Sequence, residues 1–364
     1  MIKLPTPHVA NGVDTLLGLN PVSINHLARL TDSTGIYQHA IFSVPNFFHG
    51  YCSDDNARAL RLTLLLGQIE PAQQRMLGEL RSTYLSFLWY ALPDDSGRFR
   101  NFLSFNRTWL EPAGSEDCHG RVTWALGECI ESGLVESELG LAQALLLRGL
   151  PELLNLSALR AIAFSMLGLS SYLARSRAPA VIRVILGLLT TRLYQAFVDH
   201  EERDWPWCEA YLSYDNPRLA QALIRSGNLL ERPEVTDMGL RALTWLMQQQ
   251  ISEGLLLRPI GCDWVYHRGG RRPHFDQQPV EAWACVSACL EAFRVTGEGR
   301  WMKWARMGFE WFLGRNDLNR PVYDSATGGC RDGLRIDRLN QNQGAESTIA
   351  WLSAMAEMRL SISA

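Results

Sequence analysis

The residues best equipped for chemistry in this chain are carboxylates, and they sit in loops just ahead of apolar stretches. The densest loop is Gly114-Ser115-Glu116-Asp117-Cys118-His119-Gly120-Arg121, which runs directly into Val122-Thr123-Trp124-Ala125-Leu126. Related joints recur at Asp54-Asp55-Asn56-Ala57-Arg58, Asp215-Asn216-Pro217-Arg218, Asp276-Gln277-Gln278-Pro279-Val280-Glu281 and Gln343-Gly344-Ala345-Glu346. One acid at a helix mouth has an ordinary use, because its oxygen caps free N–H groups and its charge suits the positive dipole end. Asp and Arg three residues apart, as in Asp55/Arg58 and Asp215/Arg218, also pair along a helix surface. Capping needs a single carboxylate, yet Asp54/Asp55 and Glu116/Asp117 each supply two.

Acids gathered on one rim suit glycoside hydrolysis, which needs a protonated acid for the leaving oxygen and a second carboxylate as base or nucleophile. Asp117 opposite Glu281 or Asp276 is the expected pair, with Asp55 a further catalytic candidate. Asp54, Glu116, Asp215, Gln277, Asp332 and Glu346 are expected to grip sugar hydroxyls. Trp207 and Trp283, with Trp124, Trp205, Trp264 and Tyr323, offer faces for the C–H side of a sugar ring, although a single tryptophan is more often core. His119 and His274 carry the competing chemistry, since two imidazoles titrating near neutrality could relay protons in a sugar isomerase or 2-epimerase. A third reading is a glycan-binding accessory protein that keeps the site without the chemistry.

The elements that must position these groups are helical. Proline, glycine and cap residues punctuate long stretches of helical periodicity, and no strand-length alternation recurs. Mostly apolar helices are expected to start near Asp55, Asp117, Ser157, Asp215, Glu281 and Glu346, spaced by 40–66 residues. More amphipathic helices alternate with them, starting near Val22, Pro71, Glu136, Pro179, Pro233 and Arg300. Six such hairpins predict an all-α, single-domain (α/α)6 toroid over 21–364, preceded by an extended lead-in over 1–20. Its inner helices would all aim their N-termini at one mouth. The stretch Ser157–Ala174 lacks the polar signature of its sisters, so that part of the rim is expected to be open or covered by a neighbour. Two long loops, 252–278 and 314–342, exceed ordinary connections.

Composition removes several functions. A net charge of −3, without a basic run, gives no electrostatic case for nucleic acid. No signal-peptide pattern is apparent, and Arg183 interrupts the apolar run 181–189, so the expectation is a cytoplasmic protein with no membrane partner. The eight cysteines form no CxxC pair and are expected to be reduced. HxH, HExxH, Walker and Gly-x-Ser-x-Gly patterns are absent, so neither a metal nor a cofactor is expected.

The joints also resemble a known family. The stretches 50–60 and 114–121, Phe275-Asp276-Gln277-Gln278-Pro279-Val280-Glu281-Ala282 and Asn342-Gln343-Gly344-Ala345-Glu346-Ser347 are similar to a bacterial six-hairpin, glycosidase-like family. That family often carries the label glycosyltransferase because it can follow a glycosyltransferase domain in one chain. The resemblance runs from Leu30-Thr31-Asp32 to the last helix. It implies the toroid, an oligosaccharide ligand, bacterial polysaccharide metabolism and a glycosyltransferase as a potential partner. It implies no catalytic assignment, and the chain has no trace of a nucleotide-sugar-binding α/β domain.

Overall fold

The computed structural model describes residues 22–363, apart from 95, 133, 134, 176, 177, 253 and 254. The expected lead-in over 1–20 lies outside the described residues. Twelve α-helices follow one another among the described residues: α1 Asn25–Arg29, α2 Ser53–Ile69, α3 Gln74–Ala91, α4 Glu116–Glu131, α5 Glu136–Gly149, α6 Leu159–Leu173, α7 Ala180–His200, α8 Pro217–Leu229, α9 Pro233–Gln250, α10 Pro279–Thr296, α11 Gly299–Phe312 and α12 Ala345–Ser363. The even-numbered helices each pack on the next, and α12 returns to α2, so the inner ring closes. Helices α3, α5, α7, α9 and α11 lie outside the helix they follow, and α1 packs on α12. This is the (α/α)6 toroid that the alternation predicts.

The two rings differ because their sequences do. Along α10 every residue from Pro279 to Ala292 is buried, and along α6 every residue from Arg160 to Tyr172. A helix covered on all sides has no polar stripe, which is why its inner and outer faces cannot be told apart by period. Outer α9 instead buries Val235, Met238, Ala242 and Leu246, the i, i+3, i+4 rows of one face. Helix α7 starts where an outer helix is expected, near Pro179. At 21 residues it is long and apolar enough to cross a membrane by length and composition, despite Arg183. In the toroid it is an outer helix, with Ile182, Ile185, Leu186, Leu189, Leu193 and Phe197 turned inward.

Short antiparallel pairs brace the loops at the N-terminal ends of the inner helices. Strand β1 (Ala40–Ile41) pairs with β2 (Val44–Pro45), and β3 (Tyr51–Cys52) with β4 (Phe102–Leu103), tying the start of α2 to the loop before α4. Strand β5 (Tyr211–Leu212) pairs with β6 (Tyr266–His267), and β7 (Gly333–Leu334) with β8 (Leu339–Asn340). These pairs fix loops that the helices alone would leave free.

Helices α4 and α6 approach backbone to backbone. A Cβ at Gly127 would strike the Gly168 carbonyl, one at Gly168 the Thr123 carbonyl, and one at Gly120 would lie 2.5 Å from the Ala161 oxygen. Overpacking of a close-packed contact costs about 1–3 kcal/mol, and here the obstacle is backbone that cannot rotate away. Gly168→Val is therefore expected to lower the unfolding free energy by at least about 2 kcal/mol in a urea titration, while Gly187→Ala, with nothing within 4 Å on outer α7, leaves it unchanged or raises it slightly.

Candidate functional site

The mouth is built from residues whose neighbours have already met the needs of the helix ends. Cys52 caps α2, its Sγ accepting the Asp55 N–H, and Ser115 caps α4, its Oγ accepting the Cys118 N–H at 3.1 Å. The first-turn acids are thereby released for other work. Glu116 turns sideways and accepts from the N–H groups of Ser157 (2.7 Å) and Ala158 (2.6 Å), capping the next inner helix, α6. Burial opposes its charge, but the Ala158 and Ser157 donors hold its carboxyl below the usual range. Asp117, one residue on, faces the mouth and accepts the Tyr214 hydroxyl at Oδ2. Burial raises its carboxyl above the usual range, and the nearby Asp54 charge pushes the same way.

The consecutive pair on α2 separates in the same manner. Asp55 is buried, accepts Arg58 Nη1 at 2.8 Å and the Cys52 thiol at 3.2 Å, and is raised by burial despite Arg58. Asp54 is half-buried, takes Asn101 Nδ2 at 2.9 Å and faces Arg121 Nε at 3.7 Å. Arg58 reaches on to Glu346 Oε2 at 2.8 Å, joining α2 to α12.

Two cavities share these groups. One, of about 540 Å³, is lined by Asp54, Arg58, Asn101, Asp117, Arg121, Tyr214 and Glu346. The other, of about 360 Å³, is lined by Gln38, His39, Asp54, Asp55, Arg58, Gln278, Asp332, Asn340, Glu346 and Ser347. Asp54, Arg58, Phe102 and Glu346 border both, so they form one cleft. Asp332 accepts the Gly344 N–H at 2.7 Å, and burial raises its carboxyl.

Behind the cleft lies a buried charge cluster. Asp215, 1% exposed, meets Arg121 Nη2 at 3.0 Å and Arg218 Nε at 3.4 Å. Burial alone would raise its carboxyl, but Arg121 and Arg218 hold it below the usual range. Its own N–H donates to Glu281 Oε1. Glu281 Oε2 is buried without a partner, and burial first, then the Asp215 charge, push this carboxyl up to about 8. Glu281 thus sits neutral behind Asp215 at pH 7 and lines neither cavity of the cleft, so the structure does not bring it together with Asp117.

Other expected residues go elsewhere. Asp276 and His274 line a separate cavity of about 760 Å³ with Trp264, and the raised carboxyl of Asp276, caused by burial, pairs with Arg335 at 3.5 Å. Gln277 is fully buried between Trp311 Nε1 (2.9 Å), Asp317 Oδ2 (2.7 Å) and the His274 carbonyl (3.0 Å), which makes it a strut between loops. Trp207 is fully buried, edge-on to Phe197, and Trp283 is buried with its Nε1 on Glu357, so neither face is open to a ligand. His119 is fully buried against the Gly149 carbonyl at 3.0 Å, and burial lowers it to about 4, so it is a neutral packing residue rather than a relay. His119 and His274 share no cavity.

The rim at the third hairpin is covered. Arg160, in the first turn of α6, reaches the Tyr214 carbonyl, Glu209 (3.0 Å) and Asn216 Oδ1 (2.8 Å), and its guanidinium lies 4.9 Å from the Tyr214 ring centroid. The loop before α8 is thereby drawn over α6 and brings Tyr214 onto Asp117. Sequence reasoning missed Tyr214, Gln38, His39, Asn101, Phe102, Gln278, Asn340 and Ser347. Of these, Gln278 and Ser347 stood inside stretches that were already conspicuous, and Tyr214 adjoins Asp215. Among the described residues no group of three or more His, Cys, Asp or Glu side chains is arranged for a metal ion, and all eight cysteines are unpaired.

No protein-family model matches the chain, and no curated protein matches it in sequence. Solved structures do match it in shape. A sugar epimerase from a ruminal bacterium superposes with a TM-score of 0.71 at 9% identity, covering 98% of this chain and 99% of that one. The cellobiose 2-epimerase of Spirochaeta thermophila gives 0.70 at 13% identity, with 98% of each chain covered. An inactive α-1,6-mannanase variant of a Salegentibacter species, with two aspartates replaced and α-1,6-mannotetrose bound, gives 0.61 at 10% identity over 98% and 100%. At these identities the likeness establishes the fold. The described residues have the (α/α)6 toroid architecture of these structures.

Glu281 gives the site a pH signature. An acid whose folded pKa of about 8 lies above its ordinary 4.5 makes the folded state the proton-richer one between those values. Stability must then fall as pH rises through that window. Glu281→Gln removes the titration, so its melting temperature should gain on the wild type progressively from pH 5 to pH 9. Parallel melting curves across that range would assign the titration elsewhere.

Proposed function

We propose that the chain is a carbohydrate-active enzyme that hydrolyses glycosidic bonds in a short bacterial oligosaccharide or polysaccharide fragment, with Asp117 as proton donor and Asp54 as base or nucleophile. The observation that carries this reading is that Asp54 and Asp117 face one cavity, where burial and the Asp54 charge both favour the protonated form of Asp117. Glycoside hydrolysis asks for two carboxylates in unlike environments, one kept protonated and one charged. Asp54 Oδ2 takes the Asn101 amide, and Oδ1, which has no hydrogen-bond partner, lies 3.7 Å from Arg121 Nε. Tyr214 fixes one oxygen of Asp117 and leaves the other to meet the leaving oxygen. Glu346 and Arg58 then take sugar hydroxyls on the far wall. The mannanase neighbour, inactive when two consecutive aspartates are replaced, adds support, because Asp54-Asp55 is a consecutive pair at this mouth.

Histidine-relay epimerisation has less behind it. His119 is buried and His274 lies outside the cleft, which leaves His39 as the one imidazole lining it among the described residues.

The test is turnover on a panel of α- and β-linked gluco- and manno-oligosaccharides, followed by reducing-end release. Asp117→Asn and Asp54→Asn should each lower kcat by roughly 100-fold or more, the usual loss when an acid or base is removed, while glycan binding persists. Wild-type activity should fall on the alkaline side as Asp117 loses its proton, and Asp117→Asn should abolish that limb. Full turnover in both variants overturns the assignment. Solvent deuterium appearing in a sugar carbon without bond cleavage would replace hydrolysis with epimerisation, and glycan binding with no turnover would make the chain a binding module.

A further inference from the structure

We propose that the cavity between Trp264 and Ile336 is a distal subsite for neutral sugar units, so that the ligand is a chain extending beyond the cleft rather than a free monosaccharide. The inference rests on the reading of the cleft as a carbohydrate site and adds a place for the rest of the chain. Its own support is the shape and chemistry of the second cavity. At about 760 Å³ it is roomier than either cavity of the cleft, at about 540 and 360 Å³.

The walls suit a pyranose. The Trp264 indole is 44% exposed, whereas Trp205, Trp207 and Trp283 are all buried in the core. Its orientation is fixed, because Nε1 donates to the Arg271 carbonyl at 3.0 Å and the Arg271 guanidinium lies over the ring, 5.8 Å from its centroid. A fixed, exposed indole on a cavity wall is a stacking platform for the C–H face of a sugar. Ile336, 73% exposed, forms an apolar wall of the same cavity. Asp276 Oδ1 is buried without a hydrogen-bond partner, an acceptor that a sugar hydroxyl would satisfy.

The charge balance sets the ligand class. Asp263, Asp276 and Asp337 are matched by Arg271, Arg335 and Arg338, a formal sum of zero. Two of these arginines are already paired, Arg335 with Asp276 at 3.5 Å and Arg338 with Asp337 at 3.0 Å. A lining with balanced charge and paired guanidiniums recognises hydroxyls and gives no net attraction to a polyanion.

The cavity also adjoins the cleft. Asp276 lines it, and Gln278, two residues on, lines the cleft. A Cβ on Gly333 would lie 2.5 Å from Asp276 Oδ1 and 3.0 Å from Gln278 Nε2, so one short stretch of backbone separates the two spaces. An oligosaccharide held at Asp54 and Asp117 can cross this ridge and stack its next units on Trp264.

Binding of mono- to hexasaccharides, in α-1,6-manno and β-1,4-gluco series, to wild type and variants by calorimetry tests this without requiring turnover. In one series the wild-type affinity should rise about tenfold or more from disaccharide to pentasaccharide. That gain should collapse in Trp264→Ala and largely persist in Trp264→Phe, which keeps an aromatic face. An equal chain-length gain in Trp264→Ala overturns the subsite, as does absence of any gain in the wild type or a preference for uronate chains of equal length. The two proposals fail separately. A Trp264-dependent gain with full turnover in Asp117→Asn removes the catalytic assignment alone, and a lost turnover with a Trp264-independent gain removes the subsite alone.

Discussion

One buried carboxylate organises the mouth. Asp215 sits at the start of α8 with a left-handed backbone, φ 48°, and is held by Arg121 from α4 and Arg218 from its own helix. A carboxylate with 1% exposure is tolerable only when opposite charges and donors surround it. Those partners must then come from different helices, and meeting that demand fixes how the helices sit. Arg121 also reaches Asp54 on α2, and the Asp215 N–H is taken by Glu281 on α10. Four of the six inner helices are thus tied at their N-termini by one cluster. Removing Arg121 would leave Asp215 one guanidinium short and would free Asp54 at the same moment, so architecture and site are not separable here.

The cluster rests on a stack that closes the barrel. Arg218 lies 4.9 Å from the Trp124 ring centroid and 4.5 Å from that of Trp283, and Arg61 lies 3.5 Å from Trp124. Guanidiniums between indole faces keep part of their solvation by the ring quadrupoles, which lets positive charge reside at the centre of a helical ring. Below the stack another cavity, of about 410 Å³, is lined by the C-terminal halves of the inner helices, including Glu128, Arg225, Glu291 and Glu357. The stack therefore divides a mouth from a base. The mouth end also carries six helix N-termini, whose dipoles favour anions, so the acids there are stabilised by the fold that displays them.

The architecture was legible in the chain because hairpin alternation is a repeated signal carried by hundreds of residues. Which acid does what was not, because that depends on single steps of 100° around a helix. Glu116 and Asp117 are adjacent and border one cavity, yet one spends its oxygens capping α6 and the other accepts the Tyr214 hydroxyl. Asp54 and Asp55 are adjacent, yet one lies half-open to the cleft and the other is spent on Arg58 and Cys52. In helices buried all round, such as α10, no polar stripe tells the direction of Glu281 or Trp283, and both expectations for an open rim residue there met a core position instead. His119 misled for the same reason: its loop looks acid–base rich, but its place two helical steps past Asp117 aims it outward at Gly149. Arg160 was hidden because a single arginine opening an apolar helix carries no pattern, although it is the residue that draws Tyr214 over the mouth.

The closed axis has a consequence for what the protein can bind. With Arg218, Trp124 and Trp283 filling the centre, a ligand cannot thread the ring and must lie across its top. There the inner helices supply charge at fixed points but little width, since their N-termini are braced by the pairs β3–β4 and β5–β6. Length and selectivity must then come from the loops, and the two longest, 252–278 and 314–342, meet beside the cleft through Arg335 and Asp276 and through the backbone pairing of Gln277 with Leu334. The buried Gln277, bonded to Trp311 and Asp317, holds that junction rigid. A helical ring of this kind fixes the chemistry at its helix ends and leaves the reach of the site to whatever its loops are long enough to build.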